Sequence, residues 1–249
     1  MRRRRGRGYF ASLADVKHPA RRLLRQYKHR GAPVVLMSGS WTEGERQAAL
    51  KRGPHRSATE HTLFLREEFV YKIEKRQWVV LPYSVSKGLP GLRLSPTGVE
   101  VEQDRRPCWL GDYSYFKTNV ETLPVALLSA IQYGRALDRL VREIVYADPA
   151  IVYVYLIKVD VSDGFYLIGL RPEDAPKLGL IFPIGEEEEA MVAIPLTLPM
   201  GWKNYPPLLC TATETVADLA NKALCSYQPR KKHQLTIGLK RESHHRRHR

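Results

Sequence analysis

Residues 151–166 read IVYVYLIKVDVSDGFY, and this stretch carries the strongest indication of the fold. Residues 151–159 are almost entirely β-branched, aromatic or aliphatic, a composition that predicts a buried strand. The strand delivers Asp160 at its end, and Asp163 follows three residues later. A carboxylate held at the end of a rigid strand is a common ligand for a divalent cation, although aspartate is also an ordinary turn residue there.

A second informative stretch, TLPMGWKNYPP, occupies residues 197–207. Its order predicts the exit of a strand, a turn at Gly201, and a helix that begins near the two prolines. Glycine in such a turn lets the backbone approach a ligand closely. Lys203 would add a positive charge where the helix begins, which is a favourable place for phosphate.

The remaining pattern predicts a mixed α+β fold. Apolar periodicity indicates helices, and short apolar runs indicate strands. The predicted helices are 61–76, 123–147 and 206–225, and the predicted strands are 78–82, 108–116, 165–170, 178–182 and 190–198. Residues 84–107 contain three prolines and three glycines, so we expect a loop-rich insertion there.

The charge is concentrated at the two ends of the chain. The 249 residues have a formal charge of +14, of which residues 1–8 and 230–249 together carry +12. Residues 1–60 show no sustained apolar period and are expected to form a basic, mostly disordered arm, with a short helix around Leu13–His29 as an open alternative. Residues 226–249 are expected to form a basic disordered tail. Such tails attract polyanions.

Several protein classes are disfavoured by composition. Uncharged stretches reach 13 residues, as in 190–202, and a membrane helix needs roughly 18. Three scattered cysteines (Cys108, Cys210 and Cys225) are too few for a disulfide framework, so an intracellular setting, nucleus or cytoplasm, is expected. Phosphate-loop, dinucleotide-binding, zinc-protease and nucleophile-elbow motifs are absent from the sequence.

Four segments together resemble the reverse transcriptase (RNA-directed DNA polymerase) domain of long-terminal-repeat-type retrotransposons. They are QWVVLPYS (77–84), RRPCWLGDYSYFKTN (105–119), KVDVSDGFYLIGLRPEDAPKLGLIFP (158–183) and VAIPLTLPMGWKNYPPLLCTATETVADLAN (192–221), within about 61–224. The resemblance implies the fingers and partial palm of a right-hand polymerase, with 61–150 as a fingers-like region and 151–225 as the partial palm. It also implies two-metal phosphoryl transfer with Mg²⁺, an RNA template, a DNA primer and deoxynucleotide triphosphates.

The resemblance also implies roles for individual residues. Asp160 matches the first catalytic aspartate, a ligand to both Mg²⁺ ions, and the backbone carbonyl of Val161 would be another metal ligand. Phe165 matches the aromatic position that packs under the deoxyribose and excludes a 2′-hydroxyl.

Further nucleotide-binding positions follow from the same resemblance. Met200, Gly201 and Trp202 match the turn beside the incoming nucleotide and template, and Lys203 follows them. Arg105 and Arg106 lie near the strand expected to hold the triphosphate, whereas Asp112 and Asn119 are expected to be structural.

Three departures from the family pattern bear on activity. Cys108 stands where a basic residue is expected, and Tyr205 replaces a small residue. The Tyr-x-Asp-Asp hairpin is missing, because no two acidic residues after Pro207 are adjacent in the sequence. We therefore expect a fragment truncated before that motif and inactive by itself, since two of three catalytic carboxylates are missing.

Two other interpretations remain open from the sequence. The chain could be a non-catalytic protein that binds nucleic acid without sequence preference through its basic tails. It could also be an unstable relic, because half a palm would leave a sheet edge unpaired.

Overall fold

The computed structural model describes residues 20–125, 138, 141–142, 144–147, 164–183 and 188–227. In these residues the helices are α1 (Arg21–Arg30), α2 (Glu43–Arg52), α3 (Arg56–Glu60), α4 (Thr62–Glu74), α5 (Tyr83–Ser86), α6 (Thr118–Glu121) and α7 (Tyr205–Tyr227). The strands are β1 (Trp78–Pro82), β2 (Leu94–Glu100), β3 (Cys108–Gly111), β4 (Gly179–Phe182) and β5 (Met191–Pro195). Two 3-10 helices span Gly164–Leu167 and Ala175–Leu178. The predicted α+β class is confirmed.

The five strands form one mixed sheet in the order β1-β5-β4-β2-β3. β1 pairs antiparallel with β5, placing Trp78 opposite Pro195, and β5 continues antiparallel to β4. β2 runs parallel to β4 and antiparallel to β3, so that Thr97 lies opposite Gly111. Strands that are distant in sequence are therefore neighbours in the sheet.

An aromatic cluster formed by Phe69 of α4 and three rings of the sheet holds this helix to the sheet. The ring of Phe69 lies 5.3 Å from that of Trp78 and 5.1 Å from those of Trp109 and Phe182, measured between centroids. All four side chains are buried. Edge-to-face packing of this kind adds about 0.5–1.5 kcal/mol per pair beyond the burial of apolar area, so the contacts fix α4 across β1, β3 and β4.

The prediction that residues 1–60 are mostly disordered is wrong for residues 20–60. α1, α2 and α3 occur there, and Tyr27, Val34 and Ala49 belong to the buried core. A local signal for α2 is present in the sequence: the Thr42 hydroxyl accepts from the Glu45 N–H, while the Glu45 carboxylate accepts from the Thr42 N–H. This capping box satisfies two donors that a helix start leaves free.

The predicted loop-rich insertion at 84–107 is also wrong, because β2 lies inside it. Ser95 and Thr97 are polar but buried, and the Thr97 hydroxyl donates to the Ile181 carbonyl at 2.7 Å. Pro96 has no N–H to give, but its carbonyl accepts from the Asp112 N–H at 2.9 Å. Tertiary hydrogen bonds thus override the low strand propensity of this segment.

The other predicted elements divide into three groups. Strands 78–82, 178–182 and 190–198, and the helices at 61–76 and 206–225, are confirmed in position; the 108–116 strand is shorter, as β3. The predicted strand 165–170 is wrong, since its first residues lie in a 3-10 helix. Strand 151–159, most of helix 123–147, and the tails 1–8 and 230–249 lie outside the described residues. None of the helices described is long and apolar enough to cross a membrane.

Candidate functional site

The turn at residues 199–203 follows β5 and leads into α7. Gly201 has a φ of 94° and is exposed, while Met200 is half-buried. A Cβ atom on Gly201 would collide with the carbonyl oxygen of Gly111 and would also approach the Tyr113 ring. Glycine is therefore required because the turn packs against the chain's own backbone at the end of β3. That backbone, and not a ligand, makes the close approach that the sequence predicts.

Asn119 on α6 clamps this turn. Its Nδ2 atom donates to the Gly201 carbonyl at 2.9 Å, and its Oδ1 atom accepts from the Lys203 N–H at 2.8 Å. The same Nδ2 also lies 3.0 Å from the Ser114 hydroxyl. Both faces of the amide are therefore used, and the prediction that Asn119 is structural is confirmed.

The residues after the glycine attach the turn to the end of α6. Trp202 is 1% exposed, and its indole N–H donates to the Thr122 hydroxyl at 3.1 Å. Asn204 donates to the Leu123 carbonyl at 2.7 Å, and the Lys203 ammonium donates to the Thr122 carbonyl at 3.3 Å. A nucleotide beside the turn would meet backbone and the exposed Lys203 rather than the indole of Trp202.

Arg105 and Arg106 are both ion-paired. Arg105 lies 2.5 Å from the carboxylate of Glu102, and Arg106 lies 2.9 Å from that of Glu68. The Arg106 guanidinium also lies 5.5 Å from the centre of the Phe64 ring. A triphosphate at this position would have to compete with carboxylates already bound to both guanidinium groups.

The two arginines and the turn lie at opposite ends of β3. The arginines precede Cys108, whereas Gly201 packs on Gly111, about 10 Å further along the strand. Burial, followed by the carboxylates of Glu100 and Glu68, raises the pKa of the Cys108 thiol. Cys108 is therefore a neutral thiol near neutral pH and supplies no charge of its own.

The predicted metal ligands Asp160 and Val161 lie outside the described residues, so their roles stay predictions. The backbone of Phe165 lies in the 3-10 helix Gly164–Leu167. Within the residues that the structure describes, no group of three or more histidine, cysteine or acidic side chains could hold a metal ion.

A polar cluster that we did not predict joins α3 to the end of β3. Nε2 of His55 lies 3.0 Å from the Asp112 carboxylate, and Nδ1 lies 3.2 Å from the Arg52 guanidinium. Because arginine can only donate, both contacts are hydrogen bonds when Nε2 carries the proton. Asp112 also accepts from the backbone N–H groups of Ser114 and Tyr115, which confirms its structural role.

A cleft of about 510 Å³ lies between α2 and α5. Its wall includes Glu43, whose pKa falls from 4.5 to about 2 because the side chains of Gln47, Arg46 and Tyr83 donate to it. Each of these three donors is within 3.1 Å of a carboxylate oxygen. The carboxylate is thus fully engaged by the protein and is not poised for chemistry.

Comparison of the chain with models of known protein families and with curated proteins gives no match. The resemblance to reverse transcriptases therefore stays a prediction from the sequence.

Proposed function

We propose that this chain is a reverse-transcriptase-like unit, comprising fingers and a partial palm, which binds nucleic acid but does not copy it by itself. The observation that carries the proposal is the clamp between Asn119 and the Gly201 turn. Asn119 ends the segment 105–119, Gly201 lies in the segment 192–221, and the two residues are 82 positions apart. The two segments are distant in sequence, and their direct contact is what one shared ancestral core would produce.

The other arrangement that supports the proposal is in the sheet. β1 lies within the segment 77–84, and it pairs residue by residue with β5, from Trp78 opposite Pro195 to Pro82 opposite Met191. From Val192 onward β5 belongs to the segment 192–221, which also contains the Gly201 turn. Three of the four resembling segments are therefore joined by backbone or side-chain hydrogen bonds.

The donor set available in this chain does not fit a pair of Mg²⁺ ions. Asp160 and the Val161 carbonyl are the implied ligands. Two ions that repel one another need several rigid carboxylates between them. We therefore derive no metal-dependent step for this chain alone, and we expect it to lack polymerase activity.

Binding of nucleic acid requires no such site. The positive charge of residues 1–8 and 230–249 attracts phosphate, and neutralising each phosphate releases a counterion. Affinity should therefore fall steeply with salt and depend little on base sequence. Removing both tails should lower the affinity for nucleic acid equally for all base sequences.

Primer extension on an RNA template with Mg²⁺ and all four deoxynucleotide triphosphates tests the proposal. We compare the full chain with Asp160→Ala, and with Asp163→Ala as a control that removes the neighbouring carboxylate. The expected result is a mobility shift of the primer–template with all three proteins and extension with none.

Two results would contradict the proposal in different ways. Extension that is lost in Asp160→Ala and kept in Asp163→Ala would show a complete polymerase site. Absence of any mobility shift at low salt would show that the chain does not bind nucleic acid.

A further inference from the structure

Helix α1 is the most basic element that the structure describes. Its ten residues, RRLLRQYKHR, contain no acid. They include six basic side chains: Arg21, Arg22, Arg25, Lys28, His29 and Arg30. The helix is separate in sequence from both basic tails.

α1 is part of the folded body and not an extension of the N-terminal tail. Tyr27 is buried in the core, and the helix ends at Gly31, whose N–H donates to the Tyr27 carbonyl at 2.9 Å. A Cβ on Gly31 would collide with the backbone of Leu170. The next residue, Ala32, donates to the Gly169 carbonyl at 2.7 Å. These backbone contacts fix the orientation of α1.

Opposite Tyr27, four polar side chains point outward. Arg22, Arg25, Gln26 and His29 are all exposed, and their spacing places them on one side of the helix. We call these four residues the α1 basic face. Neither of its two arginines forms an ion pair within the part of the chain that the structure describes.

Arginines on the other helices behave differently. Arg46 on α2 pairs with Glu43, and Arg56 on α3 pairs with Glu60. Arg66 on α4 lies 2.6 Å from the carboxylate of Glu188. Carboxylates therefore pair with Arg46, Arg56 and Arg66, whereas Arg22 and Arg25 on α1 have no ion pair among the described residues.

The stability of α1 accounts for the basic residues of its last turn, Lys28, His29 and Arg30, but not for Arg21 and Arg22. Arg21 and Arg22 occupy the first turn, where the helix dipole disfavours positive charge. The preceding residue, Ala20, provides no side-chain cap, and the first turn has no acid. A negatively charged partner would offset both costs.

A further cation lies beside the buried side of α1. Burial raises the pKa of Tyr27 to about 12, and the nearby charge of Arg171 offsets part of that rise. The Arg171 Nε atom is buried and has no hydrogen-bond partner in the structure. Arg171 therefore places one more positive charge beside α1.

We propose that the α1 basic face binds the phosphate backbone of duplex nucleic acid. This inference rests on the proposed function and adds to it a binding surface in the folded body. From Arg22 to His29 the helix rises about 10.5 Å, over which one strand of a B-form duplex carries about three phosphates. Because the length of the face matches the spacing of these phosphates, several side chains of the face can contact successive phosphates.

The composition of the face favours a duplex over a single strand. Single strands are bound by aromatic side chains on which bases stack. The α1 basic face has no phenylalanine, tyrosine or tryptophan, because the one tyrosine of α1, Tyr27, is buried on the opposite side of the helix. It also has no exposed apolar side chain of the kind that inserts into a membrane surface.

The test compares two charge-matched variants of the full chain. Arg22→Gln/Arg25→Gln removes two charges from the α1 basic face, and Arg56→Gln/Arg66→Gln removes two charges from paired arginines. Fluorescence polarisation measures binding to a DNA duplex, an RNA duplex and a single strand of each, from about 50 to 300 mM salt. Vesicles of anionic lipid are measured in parallel.

We expect the α1 variant to lose at least about tenfold in duplex affinity at 0.1 M salt, with the salt slope falling by about 2. The paired-arginine variant should change by less than about twofold. An unequal loss on DNA and RNA duplexes identifies the preferred duplex and still supports the proposal.

Five results would overturn it. An equal loss of duplex affinity in both variants would mean that net charge alone matters. If the α1 variant loses as much affinity for single strands as for duplexes, or loses affinity only for vesicles, the partner is not a duplex. If the wild-type chain binds duplex and the α1 variant binds as well, this proposal fails while the proposed function stands. If the wild-type chain binds no nucleic acid, both fail.

Discussion

The junction around Gly201 and the α1 basic face are opposites in how they use polar groups. At the junction, Asn119 bonds the turn on both sides and Trp202 donates to Thr122 from within the core. On α1, the guanidinium groups of Arg22 and Arg25 are exposed and lack an ion-pair partner within the described part of the chain.

The difference separates two roles for polar residues. Groups whose partners lie inside the protein stabilise the folded state, and removing one leaves its partner unsatisfied. Charges without internal partners contribute little to stability and are available to a ligand. Substitutions in the two regions should therefore affect different measurements.

Gly201→Ala should have the largest effect on stability. The alanine would have to keep a φ of 94° and its Cβ would meet the Gly111 carbonyl. We expect a loss of about 3 kcal/mol in the free energy of unfolding, measured by urea denaturation. Gly88→Ala is the control, since nothing lies within 4 Å of the added Cβ. Equal stability of the two variants would rule out the close packing at Gly201.

Asn119→Ala should come next. It leaves the Lys203 N–H and the Gly201 carbonyl without their partner. Because water can reach both groups, we expect a loss of about 1 kcal/mol in the same assay. Val120→Ala, at an exposed neighbour on α6, should change stability by less than about 0.5 kcal/mol. A loss no greater than that of the control would mean that the clamp does not stabilise the turn.

Glu43 tests whether an exposed but fully partnered charge behaves like the junction. Hydrogen bonds from Gln47, Arg46 and Tyr83 lower its pKa from 4.5 to about 2 in the folded state. Its contribution to stability is therefore present above about pH 4.5 and is lost as the pH falls toward 2. We expect the urea midpoint of the wild type to fall more between pH 6 and pH 3 than that of Glu43→Gln.

The control for this pH dependence is Glu67→Gln, at an exposed glutamate of α4. The urea midpoint of Glu67→Gln should fall between pH 6 and pH 3 by as much as that of the wild type. If Glu43→Gln and Glu67→Gln decline alike, the hydrogen bonds to Glu43 do not contribute to stability.

The smallest effect on stability should come from Arg22→Gln/Arg25→Gln. Neither arginine has an internal ion pair to lose among the described residues, and one lies at the unfavourable end of the helix dipole. We expect the free energy of unfolding to change by no more than about 0.5 kcal/mol. A loss above about 1 kcal/mol would mean that these arginines stabilise the fold.

Elements with strong apolar patterns were predictable from sequence. Leu65 and Phe69 mark the buried side of α4, and the apolar runs at β4 and β5 predict strands. The same apolar pattern also predicted Leu63, Val70 and Ile73 on that side, which is wrong because all three are exposed. β2 was missed because its buried Ser95 and Thr97 look like loop residues. What makes this segment a strand is its position between β4 and β3, which no local pattern reveals.

The candidate site was predictable only in part. Sequence alone indicated that Gly201 lies at a close approach, but the approaching group is the carbonyl of Gly111, 90 positions earlier in the chain. Asn119 was expected to be structural, yet its partners lie across the fold. Contacts of such long sequence separation depend on the sheet order, which the sequence does not specify.

The most direct test of the central claim is primer extension at saturating protein, where weak binding no longer limits the outcome. The reaction contains the full chain, an RNA template with a DNA primer, Mg²⁺ and all four deoxynucleotide triphosphates. The account predicts that all of the primer–template is bound and that no primer is extended. Extended primer that disappears with Asp160→Ala would contradict it.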